Sequence, residues 1–202
     1  MPFTFPSHPG LVLPLWVRRP ERYDAVALTV GSVIPDLVDH PIAWLTHRPD
    51  FKLVHGLAGL AVIGIPLSML IVAAVNPVCR RLLASPAVAR SPRAASWIDR
   101  LVAKPFRWRR SLVSVAVGGF SHLVFDAPSH WRFEWLAPWI RIDLPAVLPP
   151  VFSRPWVRLP LPGFQRPWAI WPFDLVWLGL TALGALLFVW CCRKGEGRPT
   201  WR

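Results

Sequence analysis

The chain of 202 residues is 53% hydrophobic and only 17% charged, with a mean hydropathy of +0.39 and a formal net charge of +12. Soluble domains are about a quarter charged, so this composition argues against a water-soluble globule, and its apolar content argues against a disordered chain. The positive charge stands in blocks between apolar runs, where it sets membrane orientation and meets anionic lipid; nucleic acid is therefore not expected as a partner, and the lipid bilayer is.

In chain order, the N-terminus lacks a basic stretch followed by an apolar core and a small-residue cleavage site, so no signal peptide is expected. Apolar segments 10–17 and 25–38 are separated by Arg18, Arg19, Pro20, Glu21 and Arg22, which predicts a short helical hairpin, too short for two full crossings. Three full spans follow. Residues 53–75 carry His55 near the start and Pro66 in the middle, where a kink is expected. Residues 111–127 carry His122 and Asp126 in their last two turns. Residues 168–192 form the clearest span, with Asp174 as its one acid. The expected fold is an all-α polytopic membrane bundle of about three full spans plus the N-terminal hairpin, forming one integral-membrane domain over residues 1–202.

Between residues 80 and 110 there are nine Lys/Arg against one acid, Asp99, and the C-terminal tail adds Arg193, Lys194, Arg198 and Arg202. The positive-inside rule makes the basic loop 78–110 and the C-terminus cytoplasmic, in a bacterial inner membrane. Three crossings place both on one side, so the parity agrees. The Pro/Trp-rich loop 131–167 then lies outside; it shows no clean period, and its tryptophans suit an aromatic belt. Residues 84–96 read as a flexible surface loop. Cys79, Cys191 and Cys192 have neither zinc-knuckle nor redox spacing and read as apolar or interfacial residues. No internal repeat is evident.

The strongest local pattern is GGFSHLVFDAPSH, residues 118–130. His122 and Asp126 are four apart and share one helix face, so both reach a single cation. A continuous helix would carry His130 about 12 Å away, but Pro128 should end the helix and let His130 fold back. Gly118 and Gly119 allow close helix packing. The plainer reading, a hydrogen-bonded His/Asp pair in a bundle, carries equal weight for this motif alone. Further polar residues tilt the balance. Ser7-His8-Pro9 precedes the first apolar segment, with Ser7 as a possible cap; Asp36 ends GSVIPD; His55-Gly56 opens the next span. On the expected topology His8, Asp36, His55, Asp126 and His130 gather toward the outer interface, with His122 about one turn deeper. His40 follows Asp36 by four residues, but Pro41 argues against a continuing helix there. His47 belongs to no motif. Asp39, Asp50 and Asp174 are more simply explained by loop solvation or helix-end pairing, and Glu134 has no geometric support.

The opening MPFTFPSHPGLVLPL, the GSVIPD element, the HG at His55 and the GGFSHLVFDAPSH segment together resemble the domain-of-unknown-function 4184 family of bacterial membrane proteins, over residues 1 to about 130. That family in turn looks like the membrane-bound metal-dependent hydrolases, and its HxxxD element is similar to that of zinc-dependent phospholipase C. The resemblance implies site positions at His8, Asp36, His55, His122 and Asp126, with His130 in a Ser-His pair where the pattern has Thr-His.

The expected metal set is His8, Asp36, His55, His122, Asp126 and His130. Its mixed imidazole and carboxylate donors suit Zn²⁺ first, with Mn²⁺ or Fe²⁺ as alternatives, and two ions if six ligands converge. The expected function is a metal-dependent hydrolase at the outer interface, acting on a phospholipid or another amphipathic ester. Asp36 and Asp126 are the candidate catalytic residues, as proton acceptors, direct ligands or partners of a ligand imidazole. The competing readings are a structural metal site, a buried His/Asp hydrogen-bond network and, more weakly, a transporter.

Overall fold

The computed structural model describes residues 4–47, 52–83, 85–86, 90, 107–127, 132–136, 140–143, 154–159 and 168–195. Asp50, His130, Trp131, Trp139, Arg198 and Arg202, and most of loops 84–106 and 144–167, lie outside these residues.

The expected all-α membrane bundle is found. Helix α1 spans Thr4–Arg18, with extended backbone at Phe5, so that regular helix starts at Pro6. Proline at the first helical position loses an N–H that has no intrahelical partner anyway. Ser7 therefore sits inside the first turn and does not cap it; its hydroxyl is buried without a hydrogen-bond partner among the described residues. Helix α2, Ala25–Leu45, is capped by Asp24, whose side chain accepts from the Ala27 N–H. The single turn α3, Leu57–Gly59, runs through a π-helical turn, Leu60–Gly64, into α4, Ile65–Leu83. Helix α5 is Trp108–Asp126, and α6 is Pro172–Gly195.

Three helices are long and apolar enough to cross a membrane: Ala25–Leu45, Leu57–Cys79 and Asp174–Arg193. Among the described residues two of these correspond to the expected spans 53–75 and 168–192, and α2 joins them. The second apolar segment is a 21-residue helix, not half of a short hairpin, because α2 continues through Pro35 and Pro41. Each proline removes one backbone hydrogen bond, and an apolar environment penalises a full break in the ladder more than that single loss. Helix α5 has 19 residues but is not among the three; Arg109, Arg110 and Asp126 within it lower its apolar character. The irregularity foreseen near Pro66 takes the form of the π turn just before it, which moves the carbonyl of the preceding turn clear of the proline ring.

Helix α2 packs closely on α5, and α1 on α6. Gly31 faces the backbone of Val115, and Gly118 faces the backbone of Leu28 and Ser32, so a side chain at either position would collide with a main chain. This is the close packing that Gly118 was expected to allow; Gly119 lies against the Leu60 side chain. Gly184 of α6 meets the Ser7 carbonyl in the same manner. Leu175, Leu178 and Leu186 of α6 are exposed, as suits a helix whose outer face meets hydrocarbon.

The basic helix ends lie together. Arg110 donates to the Tyr23 carbonyl, the Ser111 hydroxyl donates to Asp24 at 2.9 Å, and the Asp24 N–H donates to the Ser114 hydroxyl at 2.8 Å. Cys191 of α6 packs with Leu13, Val17 and Ala25 at the same end. The starts of α2 and α5 and the ends of α1 and α6 therefore share one pole of the bundle.

The region expected as an irregular loop carries two short antiparallel ribbons. Strand β1, Arg132–Leu136, pairs with β2, Ile140–Asp143, and β3, Val157–Leu159, pairs with β4, Trp168–Ile170. Strands of three to five residues among prolines leave too few alternating positions to show a period-two pattern.

Candidate metal centre

The opposite pole follows from the helix directions just described. Helix α1 brings His8, the second half of α2 brings Asp36 and Asp39, the segment before α3 brings His55, and the last turns of α5 bring His122 and Asp126. All six side chains are buried: His122 fully, the others at 2–9% exposure.

The two central imidazoles are held from behind. The Nδ1 of His55 lies 2.7 Å from Asp39 Oδ2, and the Nδ1 of His122 lies 2.8 Å from the Ser32 carbonyl oxygen. Both partners are acceptors, so each Nδ1 carries the proton and donates it. The two Nε2 atoms consequently turn toward each other, 3.3 Å apart. Asp36 Oδ1 stands 3.2 Å from His55 Nε2 and 3.6 Å from His122 Nε2, which closes a near-equilateral triangle of donor atoms. Asp126 Oδ2 is 3.9 Å from His55 Nε2.

These spacings match a ligand set. Around a tetrahedral Zn²⁺ with bonds of about 2.0–2.1 Å, two donors stand about 3.3–3.4 Å apart; octahedral donors at about 2.1 Å stand only about 3.0 Å apart. Sides of 3.2, 3.3 and 3.6 Å lie nearer the tetrahedral value. Two groups, His55/His122/Asp126 and His8/Asp36/His122, each present ligand atoms within 4.8 Å of one another.

Asp39 has the role that the sequence reading missed. The sequence places it just beyond the apolar segment 25–38, where loop solvation or helix-end pairing explains it more simply. The helix in fact continues, so Asp39 follows Asp36 by three residues on the same face and is 2% exposed. Its carboxylate accepts from the backbone N–H groups of Leu53 at 3.0 Å, Val54 at 3.0 Å and His55 at 3.2 Å, as well as from the His55 ring. One carboxylate thus folds residues 53–55 over the site and fixes the tautomer of His55, an arrangement typical of the partners that stand behind metal-bound histidines. The signal was the D-x-x-D spacing, legible only once the helix is known to run past Pro41.

Burial by itself would lower the pKa of His55, which lies outside the spanning segments. The hydrogen bonds and charges of Asp36 and Asp39 outweigh it and raise the value to about 9. A cation between the carboxylates is therefore favoured, and in the metal-free protein the His55 proton supplies it.

His40, one turn beyond Asp36, lies at the rim: it is 38% exposed, and its Nε2 is 3.6 Å from Asp36 Oδ1. The ring of His8 lies against that of His122, with centroids 4.1 Å apart. His47 is exposed and has positive φ. Asp174 accepts from the Trp171 N–H at 2.8 Å, the helix-end pairing expected of it. Glu134 lies in β1.

The cluster lies at the last turns of α5 and the first turns of α1, and part-way along α2 and α6. Asp36 lies nine residues before the end of α2, about 14 Å along the axis, and Gly184, which contacts Ser7, lies twelve residues into α6, about 18 Å.

A family model described as a domain of unknown function, DUF4184, matches residues 1–151. No curated protein and no solved structure matches.

Proposed function

The chain belongs to the DUF4184 family of domains of unknown function, and from the geometry of its buried cluster we propose that it is a metal-dependent hydrolase of membrane-embedded, amphipathic substrates. The observation that carries this reading is the convergence of two imidazole Nε2 atoms, 3.3 Å apart, with both Nδ1 atoms already committed to acceptors. Two lone pairs so placed repel each other unless a cation lies between them.

His55, His122, Asp36 and Asp126 are the ligands in this reading, and Zn²⁺ suits the donor set and spacing best, with Mn²⁺ or Fe²⁺ as alternatives. A bound divalent ion supplies a Lewis acid for a phosphoryl or carbonyl oxygen and lowers the pKa of its water to about 7. The protein's own residues do the rest. Asp39 and the Ser32 carbonyl orient the two imidazoles. Asp36 and Asp126 would hold the ion, and the second oxygen of Asp126, whose Oδ2 is 3.9 Å from His55 Nε2 against 3.2 Å for Asp36 Oδ1, would accept the proton of the attacking water. His130, which lies outside the described residues, joins the set on sequence grounds alone.

The position of the cluster inside a bundle of apolar helices favours an amphipathic substrate such as a phospholipid. Leu37, Trp44 and Leu45 of α2 are 58–77% exposed beside and beyond the cluster, so the approach along α2 is apolar. The pole that carries Arg18, Arg109, Arg110 and Arg193 is assigned to the cytoplasm of a bacterial inner membrane, and the cluster to the outer half.

The test is hydrolysis by metal-loaded, detergent-purified protein. Phospholipid in mixed micelles, a soluble carboxylic ester and a soluble phosphodiester are the probes. Turnover of the lipid that stops with chelator, returns with Zn²⁺ and is lost in Asp126→Asn supports the reading. Bound metal without turnover of any probe replaces it with a structural metal site. A protein that binds no metal is instead a proton-bridged His/Asp network, the alternative that the raised pKa of His55 favours.

A further inference from the structure

We propose that the cluster is built for two divalent cations, the second held by His8 with the Asp36 carboxylate shared between the two positions. This inference rests on the reading of the cluster as a metal centre and adds a second ion to it.

His8 is the observation that one ion leaves unexplained. It is 3% exposed, yet neither ring nitrogen has a hydrogen-bond partner among the described residues. Buried imidazoles ordinarily bond at least one nitrogen, because leaving both bare forfeits their hydration without return. Here the ring is delivered to the cluster by a tightly constrained helix. The Ser7 carbonyl rests on Gly184, and Gly10 rests on the backbone of the same helix, so α1 cannot draw the ring away without opening the α1–α6 contact.

The donor inventory then divides in two. Both three-residue groups contain His122. His122 has one nitrogen to offer, since Nδ1 donates to the Ser32 carbonyl, and one imidazole nitrogen serves one ion. With His122 committed beside His55 and Asp126, the second group is left with His8 and Asp36. Asp36 is suited to be shared. Its Oδ1 lies 3.2 Å from His55 Nε2, while its carboxylate also falls within the 4.8 Å group of His8, and a carboxylate has two oxygens for two ions.

The charges agree. Asp36, Asp39 and Asp126 bring three negative charges into a region with at most 7% exposure. One divalent ion leaves the buried group at −1. Two divalent ions and one small anionic ligand bring it to zero, the sum that a low-dielectric interior favours.

The experiment is metal stoichiometry on the full chain in detergent micelles, by equilibrium dialysis against Mn²⁺ and, separately, Zn²⁺, followed by elemental analysis. His47→Ala serves as the background throughout, to remove an exposed histidine that would bind metal adventitiously. The expected result is two ions per chain, falling to one in both His8→Ala and His8→Gln. Mn²⁺-loaded wild type should show an exchange-coupled electron paramagnetic resonance spectrum, and the His8 variants an uncoupled one. One ion per chain in saturated wild type would overturn the proposal while leaving the single-ion centre standing. Two ions in both His8 variants, or two ions without coupling, would also overturn it. No ion in wild type would instead overturn the metal-centre reading on which it rests.

Discussion

Replacing Asp39 by Asn isolates the role of a residue that never touches the proposed ion. The Asp39 carboxylate accepts three backbone N–H groups and the Nδ1–H of His55, the last at 2.7 Å. Asparagine keeps the shape but retains one acceptor oxygen and introduces two N–H donors, which have no acceptor among those four groups. Hydrogen bonds to a charged partner contribute about 1.5–3 kcal/mol each. Loss of such a partner behind a metal-bound histidine lowers metal affinity about 10- to 100-fold, which is about 1.4–2.8 kcal/mol. The two figures coincide, as they should if the His55 bond is the one that matters for metal. Zn²⁺ affinity of purified Asp39→Asn is measured by competition with a chromophoric chelator, alongside thermal unfolding of the metal-free protein in the same detergent. The expected result is Zn²⁺ affinity weaker by 10- to 100-fold, with a binding-competent fold retained. Affinity within twofold of wild type would show that Asp39 only ties down residues 53–55 and does not orient His55.

Other perturbations separate scaffold from site. Gly184→Ala sets a methyl group against the Ser7 carbonyl and should destabilise the α1–α6 contact by about 1–3 kcal/mol, read as a lower unfolding midpoint in detergent. Gly179→Ala on the same helix meets nothing within 4 Å and should stay within about 0.5 kcal/mol of wild type. Asp24→Ala removes the α2 cap and the acceptor of Ser111 at the opposite pole; it should cost about 0.5–2 kcal/mol in stability and leave metal content unchanged on elemental analysis.

The polar cluster was legible in the sequence in proportion to how local its geometry is. His122 and Asp126 share a helix face by spacing alone, and the helix does end at Asp126 as Pro128 indicates. His8, Asp36 and His55 meet them through topology, which the alternation of basic and apolar segments conveyed well enough to put all of them at one pole. Asp39 was missed because the apolar segment was ended at residue 38, whereas α2 continues through Pro41 to Leu45 and carries Asp39 inward. The same early end shortened α2, which is long and apolar enough to cross a membrane. The tautomers of His55 and His122 depend on a carboxylate 16 residues away and a carbonyl 90 residues away, and no local pattern encodes either. The ribbons β1–β2 and β3–β4 were too short to announce themselves.

X-ray absorption at the metal edge of the purified protein tests the central claim most directly. A zinc or manganese edge is expected, with a first shell of nitrogen and oxygen at about 2.0–2.2 Å, multiple-scattering features of at least two imidazoles, and a weaker imidazole signal in His122→Ala. Absence of any stoichiometric metal edge would contradict the claim. So would a first shell of sulfur, or an imidazole signal that survives His122→Ala unchanged.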